Sequence, residues 1–165
     1  MHHHRQSGFT IVELMVGLAV AMIVLGMGVP NFRSLIQNNA TATEVNYLAT
    51  ALHLARSEAV GRGVEVMLAP LTAGNWSNGW VVGIDSDNDN VFPESGEPVL
   101  RSFPAVEQIS FSGAPARVEF RPTGEAGALA TFTLLPAHCN NAANRQRVLS
   151  VAMAGYVDLT RQACP

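Results

Sequence analysis

The chain contains no lysine, so all ten of its fixed positive charges are arginines. Thirteen acids outweigh them to a formal net charge of −3, which excludes a nucleic-acid binder working through an all-over basic surface. Cysteine is nearly absent too: Cys139 and Cys164 are the whole complement, and no other residue stands at zinc-site spacing from them. His53, His138, the serines and the acids form no visible nucleophile, base and orienter set, so catalysis is the weakest class of function and no cofactor is expected.

What the chain has in excess is apolar surface. Its 165 residues fit one domain, yet a hydrophobic share of 48% and a mean hydropathy of +0.18 are high for a protein soluble throughout. The excess lies in one run, Phe9 to Val29 (FTIVELMVGLAVAMIVLGMGV), long enough to cross a bilayer core of roughly 30 Å as a helix. Before it, Met1 to Gly8 form a short polar leader whose three histidines read either as native or as the remnant of a tag. Arg5 in that leader predicts that the chain beyond Val29 faces outward from the cytoplasm. A secretory signal cut near Ala40-Thr41-Ala42 fits poorly, because its apolar core spans only about 7 to 15 residues. A plain signal anchor explains the length of the run but not its abrupt start after Gly8.

One charge interrupts the run. Glu13 costs roughly 2.5 to 3.5 kcal/mol at mid-bilayer, less near the interface, and so needs a partner. A cut before Phe9 creates an α-amino group one helical turn from Glu13, and the Glu of one subunit can then pair with the amine of its neighbour. The charge would then be neutralised only in the assembled state. Gly8, Phe9, Thr10, Ile11, Val12 and Glu13 resemble the type IV prepilin motif, and Pro30 is similar to the proline that loosens the pilin helix. The resemblance implies cleavage by a prepilin peptidase between Gly8 and Phe9, N-methylation of Phe9, and a role for Glu13 in assembly.

After Pro30, the apolar residues Val45, Leu48, Ala49, Leu52, Ala55 and Ala59 recur at three- and four-residue spacing, one face of a helix. A helix from about Phe9 to Ala59 is expected, disturbed around Gly26, Gly28 and Pro30 and about 75 Å long. Gly61 and Gly63 end it. His53 lies beside the stripe and reads as packing. From Val64 onward eight strand-like runs follow, separated by turn-formers that include Asn75, Asn78-Gly79, Asp85 to Asn90 and Ser95-Gly96. The expected strands are Val64 to Leu68, Gly79 to Ile84, Pro98 to Phe103, Gln108 to Phe111, Arg117 to Phe120, Ala130 to Leu135, Val148 to Met153 and Tyr156 to Thr160. The fold class is therefore α+β, a long N-terminal helix packed against antiparallel sheets. Four regions follow: a leader 1–8, a transmembrane and assembly half 9–29, an amphipathic half 30–63 and a β domain 64–165.

Asp85, Asp87 and Asp89 alternate like the first ligands of a calcium loop, but the turn position holds Asn90 and the twelfth position Gly96, with Glu97 one place late. A loop turned by its own Asp and Asn side chains is the simpler reading, and no metal is assigned. Trp76 and Trp80 read as sheet packing. The even cysteine pair, beyond a membrane segment, points to a Cys139–Cys164 disulfide in an oxidising compartment.

Leu54 to Ala59 with Gly61-Arg62-Gly63, then Trp76, Gly79-Trp80, the Asp85 to Asn90 loop, Glu97 with Leu100, and Phe120-Arg121-Pro122 with Gly124, resemble the GspH/FimT family of minor pilins and pseudopilins. The resemblance implies a structural subunit that helps initiate or cap a type IV pilus. Its partners would be other major and minor pilins, the prepilin peptidase and an inner-membrane assembly platform. It would be a single-pass inner-membrane protein with a periplasmic domain, extracellular once assembled. A minor pseudopilin of a type II secretion system is the first alternative. A DNA-binding tip subunit is the second, since some members bind DNA through a C-terminal Gly-Arg-x-Arg stretch. Here that stretch is Gly155-Tyr156-Val157-Asp158, with both arginines absent and an acid in one position, which weakens the reading. Arg145, Arg147 and Arg161 remain as a candidate basic patch.

Overall fold

The computed structural model describes residues 9–87, 89, 91–136, 139 and 145–165, with side chains described for all of these except 27–35, 37 and 38. The chain divides into two units, Met1–Ile36 and Gln37–Pro165. One helix, α1 (Ile11–Arg62), begins in the first and ends in the second, and its helical assignment runs through Gly26 and Pro30 without the expected interruption.

In the first unit, Thr10 caps α1: the Glu13 N–H donates to Thr10 Oγ1 at 3.2 Å, the threonine half of a T-x-x-E capping box. Every described side chain from Phe9 to Gly26 is exposed. Among the described residues no helix is long and apolar enough to cross a membrane. The described side chains of the run stop at Gly26, short of its end at Val29.

In the second unit, α1 buries Val45, Leu48, Leu52, Ala55 and Ala59, the expected stripe, together with Ala51 and Thr41, while Ala49 is partly buried. His53 is exposed, one position beyond Leu52 and off the stripe, so it does not pack as expected. Gly63 closes the helix with a positive φ of 70° and an N–H that donates to the Ala59 carbonyl at 3.0 Å.

Among the described residues eight strands follow: β1 (Val66–Thr72), β2 (Asn75–Gly83), β3 (Val99–Phe103), β4 (Ile109–Ser112), β5 (Val118–Phe120), β6 (Ala130–Pro136), β7 (Gln146–Val151) and β8 (Val157–Gln162). They form two four-stranded sheets, β3-β2-β1-β5 and β4-β6-β7-β8, in which every paired strand is antiparallel. One buried cluster joins the α1 stripe to Trp76, Trp80, Phe120, Phe132, Leu134 and Leu149 from both sheets. The tryptophans serve packing: both are fully buried, and the Trp76 indole N–H donates to the Pro115 carbonyl at 2.8 Å.

Two turn signals misplace the β1–β2 hairpin. Asn75 and Asn78-Gly79 are strand residues, and the reversal lies at Ala73 and Gly74, with Thr72 opposite Asn75. Gly79 is needed for a different reason. Its φ is 96°, and a Cβ there would stand 2.5 Å from the Phe103 carbonyl oxygen, so the glycine admits a neighbouring backbone. β1 also runs on to Thr72 through Pro70, because β5 pairs only with Val66 to Leu68. Pro70 thus lies where the strand is paired on one side, which tolerates a missing N–H.

Candidate functional site

The expected site residues fall into three places. Gly8 and the leader lie outside the described residues. Phe9 is 85% exposed ahead of α1, and Glu13 stands in the first turn of α1, where a carboxylate also favours the positive end of the helix dipole. Around Glu13, Ile11, Val12, Leu14 and Met15 are all exposed, so this isolated chain presents an apolar helical surface with one acid in it.

The second place is the loop after β2, of which Asn88 and Asn90 lie outside the described residues. Asp85, Asp87 and Asp89 each bring a carboxylate oxygen within 4.8 Å of the others. Asp85 is buried; the other two are exposed. The acids largely hold their own loop. Asp87 Oδ1 accepts from the Asp89 N–H at 3.3 Å and Asp89 Oδ1 from the Val91 N–H at 2.7 Å. Glu97 accepts from the N–H groups of Ser86 and Glu94, so the acid that is one place late for a calcium loop ties its two ends together. Phe92 folds back from this loop onto Met67, Ala69 and Val81. Nearby Glu65 has its pKa raised, first by burial and then by Glu119.

The third place is the C-terminal face. Cys139 and Cys164 are joined by a disulfide, with Cα atoms 5.4 Å apart. Arg147 on β7 stands directly opposite Arg161 on β8, whereas Arg145 precedes β7. Two of the three arginines are therefore brought together. Burial, and then the Arg161 charge, lower the Arg147 pKa.

Gly155 and Asp158 have structural places of their own. Gly155 closes the β7–β8 turn, its N–H donating to the Ala152 carbonyl at 2.8 Å, and Asp158 faces Ser150 in the ladder. Arg56, on α1, donates from Nε to the Gly124 carbonyl at 2.9 Å and from Nη2 to the Ala154 carbonyl at 3.1 Å, and lies 5.3 Å from the Tyr156 ring centroid. One helical arginine thus fastens the loop after β5 and the β7–β8 turn. A cation one position past the apolar Ala55 was the available signal, but its two carbonyl partners, 68 and 98 residues away, were not.

Comparison with known proteins gives the same outline. The family model described as type II transport protein GspH matches residues 44–155, and the prokaryotic N-terminal methylation motif matches residues 3–29. The chain belongs to the GspH family. Two crystal structures of the type IV minor pilin FimU from Pseudomonas aeruginosa share the fold. In space group P21 the TM-score is 0.59 at 22% identity over 81% of this chain and 99% of FimU; in P65 it is 0.57 at 23% over 77% and 99%. No significant match is found among curated proteins.

As a GspH-family chain with a methylation motif and the FimU fold, the protein is a pilin-like subunit, and this membership points to a structural role rather than an enzyme. The family match ends at Gly155, so β8, Arg161 and Cys164 lie beyond the region it describes. The motif match covers Phe9 and Glu13 and is of the kind that membrane-anchored pilins carry at this end.

Proposed function

We propose that the protein is a minor type IV pilin that helps initiate or cap pilus assembly, after prepilin peptidase cleavage between Gly8 and Phe9 and methylation of Phe9. The observation that carries this reading is the first unit: eighteen consecutive exposed residues, Phe9 to Gly26, almost all apolar, with one acid in the first turn of the helix. Such a surface has no use in an isolated chain and fits burial first in the inner membrane and then among the helices of other pilins. In that setting Glu13 pairs with the free amine of an adjacent subunit, which offsets the cost of its burial. The second unit stays outside the membrane and meets neighbouring subunits.

The decisive experiment is N-terminal sequencing of the protein recovered from sheared pili. A mature start at N-methylated Phe9 is expected, and an uncut leader in the filament would sink the reading. Glu13→Ala should leave membrane insertion intact while lowering the amount in sheared filaments at least about tenfold, the effect of losing roughly 1.4 kcal/mol or more. Incorporation at the normal level would count against the pairing. The family description, type II transport, favours a second reading in which the filament is a secretion pseudopilus. Loss of protein secretion without loss of surface pili in a deletion strain would select it.

A further inference from the structure

Among the described residues the two sheets have four edge strands, and three of them are short or irregular. β5 has three residues and β4 four, while β3 meets β2 with a register shift at Val82/Gly83. β8 is different. Its six residues pair with β7 along their whole length without a shift, and Asp158 to Gln162 are exposed. Edge strands are ordinarily kept short, bulged or covered to prevent pairing with another chain.

The side chains of β8 extend the contrast. Val157, Leu159 and Arg161 stand opposite Val151, Leu149 and Arg147. Leu149 and Val151 are buried at 0% and 1%, so this is the core side of the sheet, yet Leu159 on the same side is 45% exposed and Arg161 is exposed. The core side therefore continues one strand past the buried cluster. At the other end of the strand Arg161, in register with Arg147, presents an exposed cation on this side, which an acid placed against it would match in charge. An arginine beside an exposed apolar side chain at an open strand edge fits a protein interface.

We propose that β8 is a docking edge for an extended segment of a neighbouring pilin subunit, which adds a fifth strand to this sheet and sets a carboxylate against Arg161. This rests on the proposed pilin function. The incoming strand supplies main-chain hydrogen bonds for affinity, and its alternate side chains read the face. Because Leu159 and Arg161 are two residues apart, the segment needs an apolar residue and an acid at the same spacing.

The test uses the full chain in piliated cells, with a photo-crosslinking amino acid placed at Thr160 on β8, at Ser102 on β3, or at Val20 in the N-terminal helix. Thr160 is expected to yield an adduct in sheared filaments whose tryptic peptide comes from a pilin subunit and holds an acid two residues from an apolar residue. Arg161→Glu should lower that adduct at least about tenfold, and replacing the partner's acid with arginine should restore it. Three outcomes overturn the proposal: an adduct from Val20 but none from Thr160, an adduct indifferent to Arg161→Glu, or a nuclease-sensitive adduct showing DNA at this edge. If no position gives an adduct and the chain is missing from sheared filaments, the pilin function itself fails and the docking edge with it.

Discussion

Arg56 reaches two carbonyls that belong to different turns, and the space it needs is made by glycine. A Cβ at Gly155 would lie 2.0 Å from the Gly124 carbonyl oxygen and 2.7 Å from Arg56 Nε, and φ at Gly155 is 77°. Gly155→Ala therefore meets both backbone strain and collision, and should destabilise the full chain by about 2 kcal/mol or more, read from the midpoint of urea unfolding. Glu44 offers a prediction of opposite sign. Its Oε2 is buried without a hydrogen-bond partner among the described residues, and burial, followed by the Glu107 charge, raises its pKa above the ordinary glutamate range. The folded state thus holds the Glu44 proton more tightly than the unfolded chain does. This contribution to stability is present at low pH and is lost as pH rises through the raised value. Glu44→Gln should accordingly raise the melting temperature at pH 7, with the gain shrinking as the pH falls to the ordinary glutamate pKa.

Among the elements, α1 changes occupation along its length. Its first part exposes apolar side chains, and from Val45 onward a stripe at three- and four-residue spacing enters the core. Leu52 is fully buried in that stripe, and Leu52→Ala should cost about 2 to 5 kcal/mol of the stability of the second unit, measured by urea denaturation. The same truncation at Val20, Val20→Ala, should cost close to nothing in the same assay, because that side chain is exposed. The strands were legible as eight runs in the right order, since alternating apolar residues and turn-formers are local signals. The β1–β2 turn was not. Asn78-Gly79 has the composition of a tight turn, but Gly79 is there for the approach of Phe103, a residue 24 positions later whose position no local signal reveals.

For the whole molecule, the disulfide acts on the unfolded chain more than on the core. Cys139 and Cys164 are 25 residues apart, and closing a loop of that length contributes about 3.5 kcal/mol by the chain-entropy estimate. Reduction should shift the urea midpoint downward by a corresponding amount while leaving the first unit's helix content unchanged by circular dichroism. The candidate site divides along the same line. Phe9 and Glu13 stand out as candidates because they belong to a contiguous motif in a contiguous apolar run. Arg147 and Arg161 were only two members of a scattered basic group until the ladder set them opposite each other.

The sequence alone determined the order of elements, the membrane-compatible first segment, the acid within it, and the stripe that α1 turns to its core. Each of these depends on residues within one or two helical turns or one strand, where periodicity is visible. Tertiary structure decided that Arg56 ties together two distant turns, that Gly155 belongs to that tie, and that β8 is the long, regular edge among the described strands. Those facts depend on register and on which backbone passes close to which, and both arise only when segments far apart in the chain pack together.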